Sequence, residues 1–482
     1  HWGEARLAEA EAHWRARLAR VPLELPPCAA PFTESLRASL AWILVNREGP
    51  KIQPGPRCYR RSWIRDGALT GAALAEMGFA AEAQAFLRWY APFQHEDGRV
   101  PCAVDARGVD LAVEHDSHGQ LAWAVAEVWR LAGDDGFLRD LWPHVRRAAD
   151  AIAALRALRT TDAWRGDPRF GLLPESISHE GYASNPVHSY WDDCFALLGL
   201  AGAADAARAL GDAAAAERFA AEHAAMRRDV HASIERAIER NGIDFVPGAA
   251  ELGDFDPTST AIWLDPGREG ARLPRAALVQ TFERYWRELS ARRRGDAPND
   301  AYTAYEVRNA VALLRLGWKQ RALELLAWLI DDQRPPGWRQ WPEVTTRDPR
   351  APRFLGDLPH GWVASSFVRS VRRLVVLEDW DAQRVVLAAG VPEAWVRDPA
   401  GVRASALPTP FGALDFSLRA DGERRVRARL GGACRPPGGF ELASPLARPL
   451  AAVAIDGGAR QAPDDAARVR FAAGARAVDL FY

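Results

Sequence analysis

The stretch Gly119–Leu158, G-Q-L-A-W-A-V-A-E-V-W-R-L-A-G-D-D-G-F-L-R-D-L-W-P-H-V-R-R-A-A-D-A-I-A-A-L-R-A-L, decides the fold. Two runs with helical spacing, Gly119–Leu131 and Phe137–Leu158, are joined by the turn Gly133-Asp134-Asp135-Gly136. That is a helical hairpin, and the same texture extends in both directions. Upstream lie Ser35–Val45, Asp66–Met77, closed by the helix-stop Gly78, and Ala81–Tyr90. Downstream follow Tyr190–Leu210, Ala214–Glu239, Arg275–Arg294, Ala301–Leu316, Gln320–Asp331 and Gly361–Leu377. About a dozen helices are thus joined alternately by short turns and by long loops. Hairpins with all their long loops on one side can close into two concentric rings of helices. The inner helices would be apolar nearly all round, as Ala301–Leu316 is after its polar start. No strict repeat period accompanies them, which argues against a solenoid.

The flanks read differently. Residues 1–20 form a charged helix, and Pro22, Pro26 and Pro27 mark a linker, so 1–30 stands outside the helical array. The array occupies 31–378. From Asp379 onward the runs are short and β-branched or alternating, as in Arg384–Ala389, Ala413–Leu418 and Arg424–Leu430, and glycine and proline separate them. Residues 379–482 therefore read as a small β domain in a support role. The expected fold is mainly α, an (α/α)6 barrel with a C-terminal β domain.

Composition limits the function classes. The 482 residues exceed one ordinary core, and 48% hydrophobic with 26% charged residues is a normal globular mixture. A net charge of −1 steers the chain to neither nucleic acid nor an anionic membrane. No apolar run is long enough to span a bilayer. The five cysteines are dispersed with no CxxC pair, so neither a zinc ribbon nor a disulfide framework is signalled. There is no signal-peptide pattern, and the chain begins at His1 rather than Met, which leaves its compartment open. Tryptophan is unusually frequent, 19 against 8 tyrosines, and Trp is a favoured platform for a sugar ring.

Four long loops carry the polar chemistry. Tyr59–Gly67, Y-R-R-S-W-I-R-D-G, opens a helix. Asp66 can cap that helix, and Arg65 with Asp66 beside Trp63 also makes a fork for adjacent sugar hydroxyls. Glu114–Gln120, E-H-D-S-H-G-Q, opens another and holds His115 and Asp116. His115 and His118 would suit a metal only with further ligands, and ordinary hydrogen bonding is the preferred reading. Gly171–Asp193 offers Glu175 and Glu180. Glu180, between His179 and Gly181 and near Trp191, fits a partly desolvated acid that holds its proton for a leaving oxygen. Glu175, after Pro174, suits a solvent-facing first turn. The fourth loop, Trp341–Trp362, places Glu343 between Trp341 and a basic run, with His360 and Trp362 at its end. Glu343 is the candidate base. Carboxyls roughly 6.5–9.5 Å apart leave room for a water and invert the anomeric centre.

The order W-I-R-D-G, E-H-D-S-H-G-Q-L, an acid-bearing loop, W-P-E-V and L-P-H-G-W resembles the six-hairpin glycosidases over about residues 31–378. Within them it is most similar to the glucoamylase family. That family's aromatic-x-Arg-Asp stretch matches Trp63, Arg65 and Asp66, and its next binding loop matches the region of Asp116. Its acid glutamate precedes the sixth helix, as Glu180 does, and its base precedes the last helix, as Glu343 does. Two features depart: Ser178-His179-Glu180-Gly181 replaces the family's Trp-Glu-Glu acid motif, and the β domain is more like that of disaccharide phosphorylases and rhamnosidases. The resemblance implies an inverting, exo-acting hydrolase of α-glucosidic bonds in oligosaccharides or other glycosides. Trp63, Arg65, Asp66, Asp116 and Trp341 would hold the terminal sugar, and His179, His360 and Trp362 would line the entrance. Proton transfer between carboxyls and water requires no cofactor and no metal. Three rivals have their own signatures. A phosphorylase would build a phosphate pocket from Arg347, Arg350 and Arg353. A non-catalytic glycan-binding protein would keep the tryptophans without opposed acids. An epimerase would use a histidine pair such as His115 and His360.

Overall fold

The computed structural model describes residues 2–348 and 354–482. Among these residues, thirteen helices precede the β domain: α1 (Trp2–Leu18), α2 (Ala30–Val45), α3 (Ile64–Glu76), α4 (Ala80–Tyr90), α5 (Asp116–Ala132), α6 (Asp135–Ala157), α7 (Tyr190–Ala209), α8 (Ala213–Asn241), α9 (Pro257–Leu264), α10 (Arg275–Arg294), α11 (Asn309–Arg315), α12 (Lys319–Asp331) and α13 (Gly361–Val375). The α5–α6 hairpin is built as its turn chemistry dictates. Gly133 ends α5 in the left-handed region at φ 68°, and the Asp134 carboxylate caps α6 by accepting from Phe137 N at 3.0 Å.

Six helices, α3, α5, α7, α9, α11 and α13, pack each against the next, and α13 returns to α3. The inner ring is therefore closed. An outer helix covers each member: α4 on α3, α6 on α5, α8 on α7, α10 on α9, α12 on α11 and α2 on α13. Inner helices have no solvent face, which is why every residue of α3 is buried. Small residues let them meet closely. A Cβ on Gly199 would stand 2.6 Å from Gly119 Cα, so α5 and α7 touch backbone to backbone.

Two elements differ from the sequence expectation. Ala301–Leu316 is not one helix. Ala301–Thr303 is a strand paired with Val344–Thr346, then a 3-10 turn over Ala304–Arg308 leads into the short α11. Pairing with the Glu343 loop claims the backbone that a helix would have used. The second is α9, which the helical periodicity does not predict. Asp256 caps it, accepting from Ser259 N, and Pro257 opens it.

The mainly α barrel carries the expected small β domain. A six-stranded antiparallel sheet runs in the order Leu23–Glu24, Val402–Leu407, Leu414–Ala420, Arg425–Gly432, Ala477–Phe481, Ala452–Ile455. A four-stranded sheet runs Arg468–Phe471, Phe440–Ala443, Arg384–Leu387, Val376–Asp379, and its first member in sequence grows directly from α13. The N-terminal linker thus supplies an edge strand, with Leu23 opposite Ala404.

The barrel is stitched at the C-terminal ends of its inner helices by a buried ion cluster. Asp265, after α9, meets Arg315 at 3.0 Å, Arg369 at 2.9 Å and Arg373 at 2.8 Å; Glu76 of α3 meets Arg373 at 2.7 Å. Burial pushes the Asp265 carboxyl up, but three guanidiniums outweigh it and hold it well below the usual carboxylate range. Asp265→Ala leaves those cations uncompensated in the core. It is expected to cost about 3–5 kcal/mol, read as a lower denaturation midpoint with an unchanged m-value. Among the described residues no helix is long and apolar enough to cross a membrane.

Candidate active site

The long loops 46–61, 91–115, 158–189, 242–256 and 295–303, and the described parts 332–348 and 354–360 of the last, each precede an inner helix. They gather at one mouth of the barrel, above the N-termini of the inner ring. There a cavity of about 70 Å³ is lined by Pro54, Tyr59, Trp63, Arg65, Asp66, His179, Glu180, Tyr305, Glu343, His360 and Trp362. Glu180 and Glu343, 163 positions apart in sequence, share this one pocket.

Glu343 stands at the start of the short strand that pairs with Ala301–Thr303. Its Oε1 accepts from Tyr305 OH at 2.8 Å, and its Oε2 accepts from Tyr59 OH. Both tyrosine pKa values rise, through burial first and the Glu343 charge next, so the phenols remain donors at any working pH. Tyr59 is fixed in turn by Asp357, which accepts from Tyr59 N at 2.8 Å and from Arg57 N at 3.0 Å. The loop closes over the carboxylate at Gly356 (φ 68°), where a Cβ would lie 2.6 Å from Glu343 Cβ. His360, Tyr305 and Trp362 complete this wall; Tyr305 packs 4.5 Å from Trp362 and 5.8 Å from His360, centroid to centroid.

Glu180 projects from a turn in which Ser178 (φ 49°) and Glu180 itself (φ 63°) are left-handed. Its Oε1 accepts from Trp63 Nε1 at 3.0 Å and lies 3.9 Å from Arg65 Nη2. The side chain is 53% exposed, so the expected partial desolvation is not found.

The desolvated carboxyl is Asp66 instead. It sits in the first turn of α3 without capping it, since the N-cap residue is Trp63 and carries no side-chain cap bond. Asp66 is buried on the pocket floor, and its Oδ1 has no hydrogen-bond partner. Burial pushes its pKa up to about 7; Arg65 opposes the rise, and Glu343 and Glu180 add to it. The neighbouring Arg65 is itself neutralised from below by Glu114 and, at 3.7 Å, by Asp116.

The remaining sequence candidates fall in three places. His179, His360 and Trp362 line the pocket. His179 Nε2 lies 2.9 Å from Ser259 Oγ, and burial lowers its pKa to about 4; burial lowers His360 to about 3. Asp116 and Trp191 lie one layer beneath, where Asp116 Oδ2 accepts from Trp191 Nε1 at 2.8 Å. His115, Glu175 and Trp341 are elsewhere. His115 lines a separate cavity with His118, so His115 and His360 do not face one site. Glu175 is exposed and paired with Arg159. Trp341 is core: it packs on Phe367 and donates to Leu329 O at 2.7 Å. Of the phosphate-pocket arginines, Arg347 is exposed and donates to Asn299 O at 2.9 Å, while Arg350 and Arg353 lie outside the described residues. Among the described residues no cluster of three or more His, Cys, Asp or Glu is arranged to hold a metal.

Sequence reasoning missed Tyr59, Tyr305 and Arg308. Arg308 stacks 4.1 Å from the Trp362 ring and 4.6 Å from Tyr305. The one available signal was the scarcity of tyrosine, with Tyr59 and Tyr305 both at loop ends.

Solved structures share this architecture. The α-L-rhamnosidase of Dictyoglumus thermophilum superposes with a TM-score of 0.60 at 11% identity, over 95% of this chain and 51% of that one. That of Streptomyces avermitilis, solved with L-rhamnose, gives 0.61 at 16% identity, over 95% and 42%. The fold is that of the six-hairpin glycosidases. In sequence, the chain is 28% identical to an uncharacterized glycosyl hydrolase of Methanocaldococcus jannaschii over 140 residues, 27% of this chain and 22% of that protein. The chain thus spans about half the length of the rhamnosidases, or less, and a smaller part of the archaeal protein. No protein-family model matches it.

Proposed function

We propose that the protein is an inverting, exo-acting glycoside hydrolase in which Glu180 protonates the leaving oxygen and Glu343 activates water. The observation that carries this reading is that two carboxylates from distant loops open onto one small pocket with Asp66 at its floor. The exo assignment follows the glucoamylase-like order of the loop motifs. Tyr59 and Tyr305 leave Glu343 oriented with both oxygens in hydrogen bonds, as a base that must aim a water needs. Asp66, held neutral near pH 6, donates a hydrogen bond to a sugar hydroxyl where an ionised carboxyl would repel the Glu343 base. Trp63 and Trp362 flank the ring.

The order of W-I-R-D-G before W-P-E-V favours α-glucosides, as in the glucoamylase family; the rhamnosidase likeness supports the barrel alone. Phosphorolysis has weaker support, because the cation in the pocket wall, Arg65, is already matched by Glu114 and Asp116. Early-time proton NMR of the products from maltose, with parallel runs on an α-L-rhamnoside and with added phosphate, tests all three. The expected result is glucose with β in excess of the anomeric mixture that maltose's own reducing end contributes, independent of phosphate. An early excess of α-glucose over that mixture defeats inversion, rhamnose release alone defeats the sugar assignment, and a phosphate requirement defeats hydrolysis.

A further inference from the structure

The Glu180 carboxyl is held by little of its own. One indole N–H reaches it, and the nearest cation is 3.9 Å away. Its location is therefore fixed by its backbone, and that backbone is strained: Ser178 and Glu180 both occupy the left-handed region, where side chains cost energy unless the surroundings impose it. What imposes it lies beneath the turn. Asp192, buried in the first turn of α7, receives Ser176 Oγ at 2.6 Å on Oδ2 and Ser178 Oγ at 2.6 Å on Oδ1. Ser178 N donates to Ser176 Oγ at 2.7 Å, which closes the ring of bonds, and Ser178 O accepts from Glu180 N at 2.5 Å. The adjacent Asp193 anchors the same loop at its start, accepting from Leu173 N at 2.9 Å. Neither aspartate lines the pocket.

We infer that Asp192 is a positioning residue for the acid, acting through the Ser176 and Ser178 hydroxyls to hold the left-handed turn that presents Glu180. The inference rests on Glu180 being the acid. Each Asp192 oxygen holds one serine, so the two hydroxyls cannot move independently and the turn has one register. Ser178→Ala removes one arm, together with the 3.1 Å bond from Ser178 Oγ to Ser189 Oγ, and leaves the Ser176–Asp192 bond in place. Asp192→Asn keeps the shape but exchanges one acceptor oxygen for a donor.

The test compares two probes that differ in their need for an acid. Maltose must have its leaving oxygen protonated; α-glucosyl fluoride releases fluoride with no oxygen to protonate. Ser178→Ala and Asp192→Asn are expected to lower kcat on maltose by about 10–100-fold with KM nearly unchanged, and to leave the fluoride within about 3-fold. Glu180→Gln, run beside them, should show the same split more strongly. Equal losses on both probes, or no loss on either, overturn the positioning role; should Asp192→Asn fail to fold, Ser178→Ala decides alone. If Glu180→Gln itself loses both probes equally, the acid assignment falls and the inference with it. If it shows the split and the other two variants do not, the inference alone is overturned.

Discussion

Glu343→Gln is expected to lower kcat by roughly 10²–10⁴ while KM and the melting temperature stay close to those of the parent. The amide matches the carboxylate in shape, and Tyr305 can still donate to its oxygen. The bond from Tyr59 meets an NH2 group instead, so one tyrosine must rotate its hydroxyl toward another acceptor. What disappears is the ability to take a proton from water, a loss specific to the transition state that leaves ground-state binding in place. Steady-state kinetics with direct binding of glucose to the variant checks it. A variant that retains turnover would show Glu343 to be a wall residue. A parent that binds sugar with no turnover would favour a glycan-binding protein.

The barrel was legible because its hairpins announce themselves locally. Gly133 and Asp134 mark a C-cap and an N-cap side by side, and the runs flanking them are long enough for the helical period to show. The eight residues of α9 are too few for a period, and only Asp256-Pro257 signals its start. The start of 301–316 departs from its helical pattern because a strand pairing made about 40 residues downstream, Thr303 with Val344 among its partners, has no local trace. That Glu180 and Glu343 line one pocket was legible from their loops, each opening toward an inner helix. Their environments were not. Glu180 is exposed on the turn that carries it, whereas Asp66 is buried because α3 has no solvent face. Trp341 shows the same limit: its indole could face sugar or core, and a carbonyl at Leu329 decided it.

Asp66→Asn is expected to stabilise the protein and to broaden its pH range, with both effects growing as pH rises. The Asp66 carboxyl ordinarily titrates near 3.8, and burial together with Glu343 and Glu180 pushes it up to about 7 in the folded chain. A carboxyl raised on folding keeps a proton that the unfolded chain releases. Its contribution is therefore neutral below about pH 4 and increasingly unfavourable as pH climbs toward 7, at about 1.4 kcal/mol per pKa unit. Asparagine carries no charge to desolvate, so Asp66→Asn should match the parent in stability at pH 4 and exceed it by on the order of 4 kcal/mol at pH 8. Activity should follow a different course. Near pH 6 the amide still donates to a sugar hydroxyl, and kcat/KM is expected within about 10-fold of the parent. Above pH 7 the parent's Asp66 gains a negative charge beside the acid and the base, and its rate should fall, whereas the variant's alkaline limb should move upward. Chemical denaturation at pH 4, 6 and 8 with a parallel kcat/KM profile checks both halves. A constant stability difference across that range would mean that Asp66 is ionised throughout, and the neutral donor at the pocket floor would have to be abandoned.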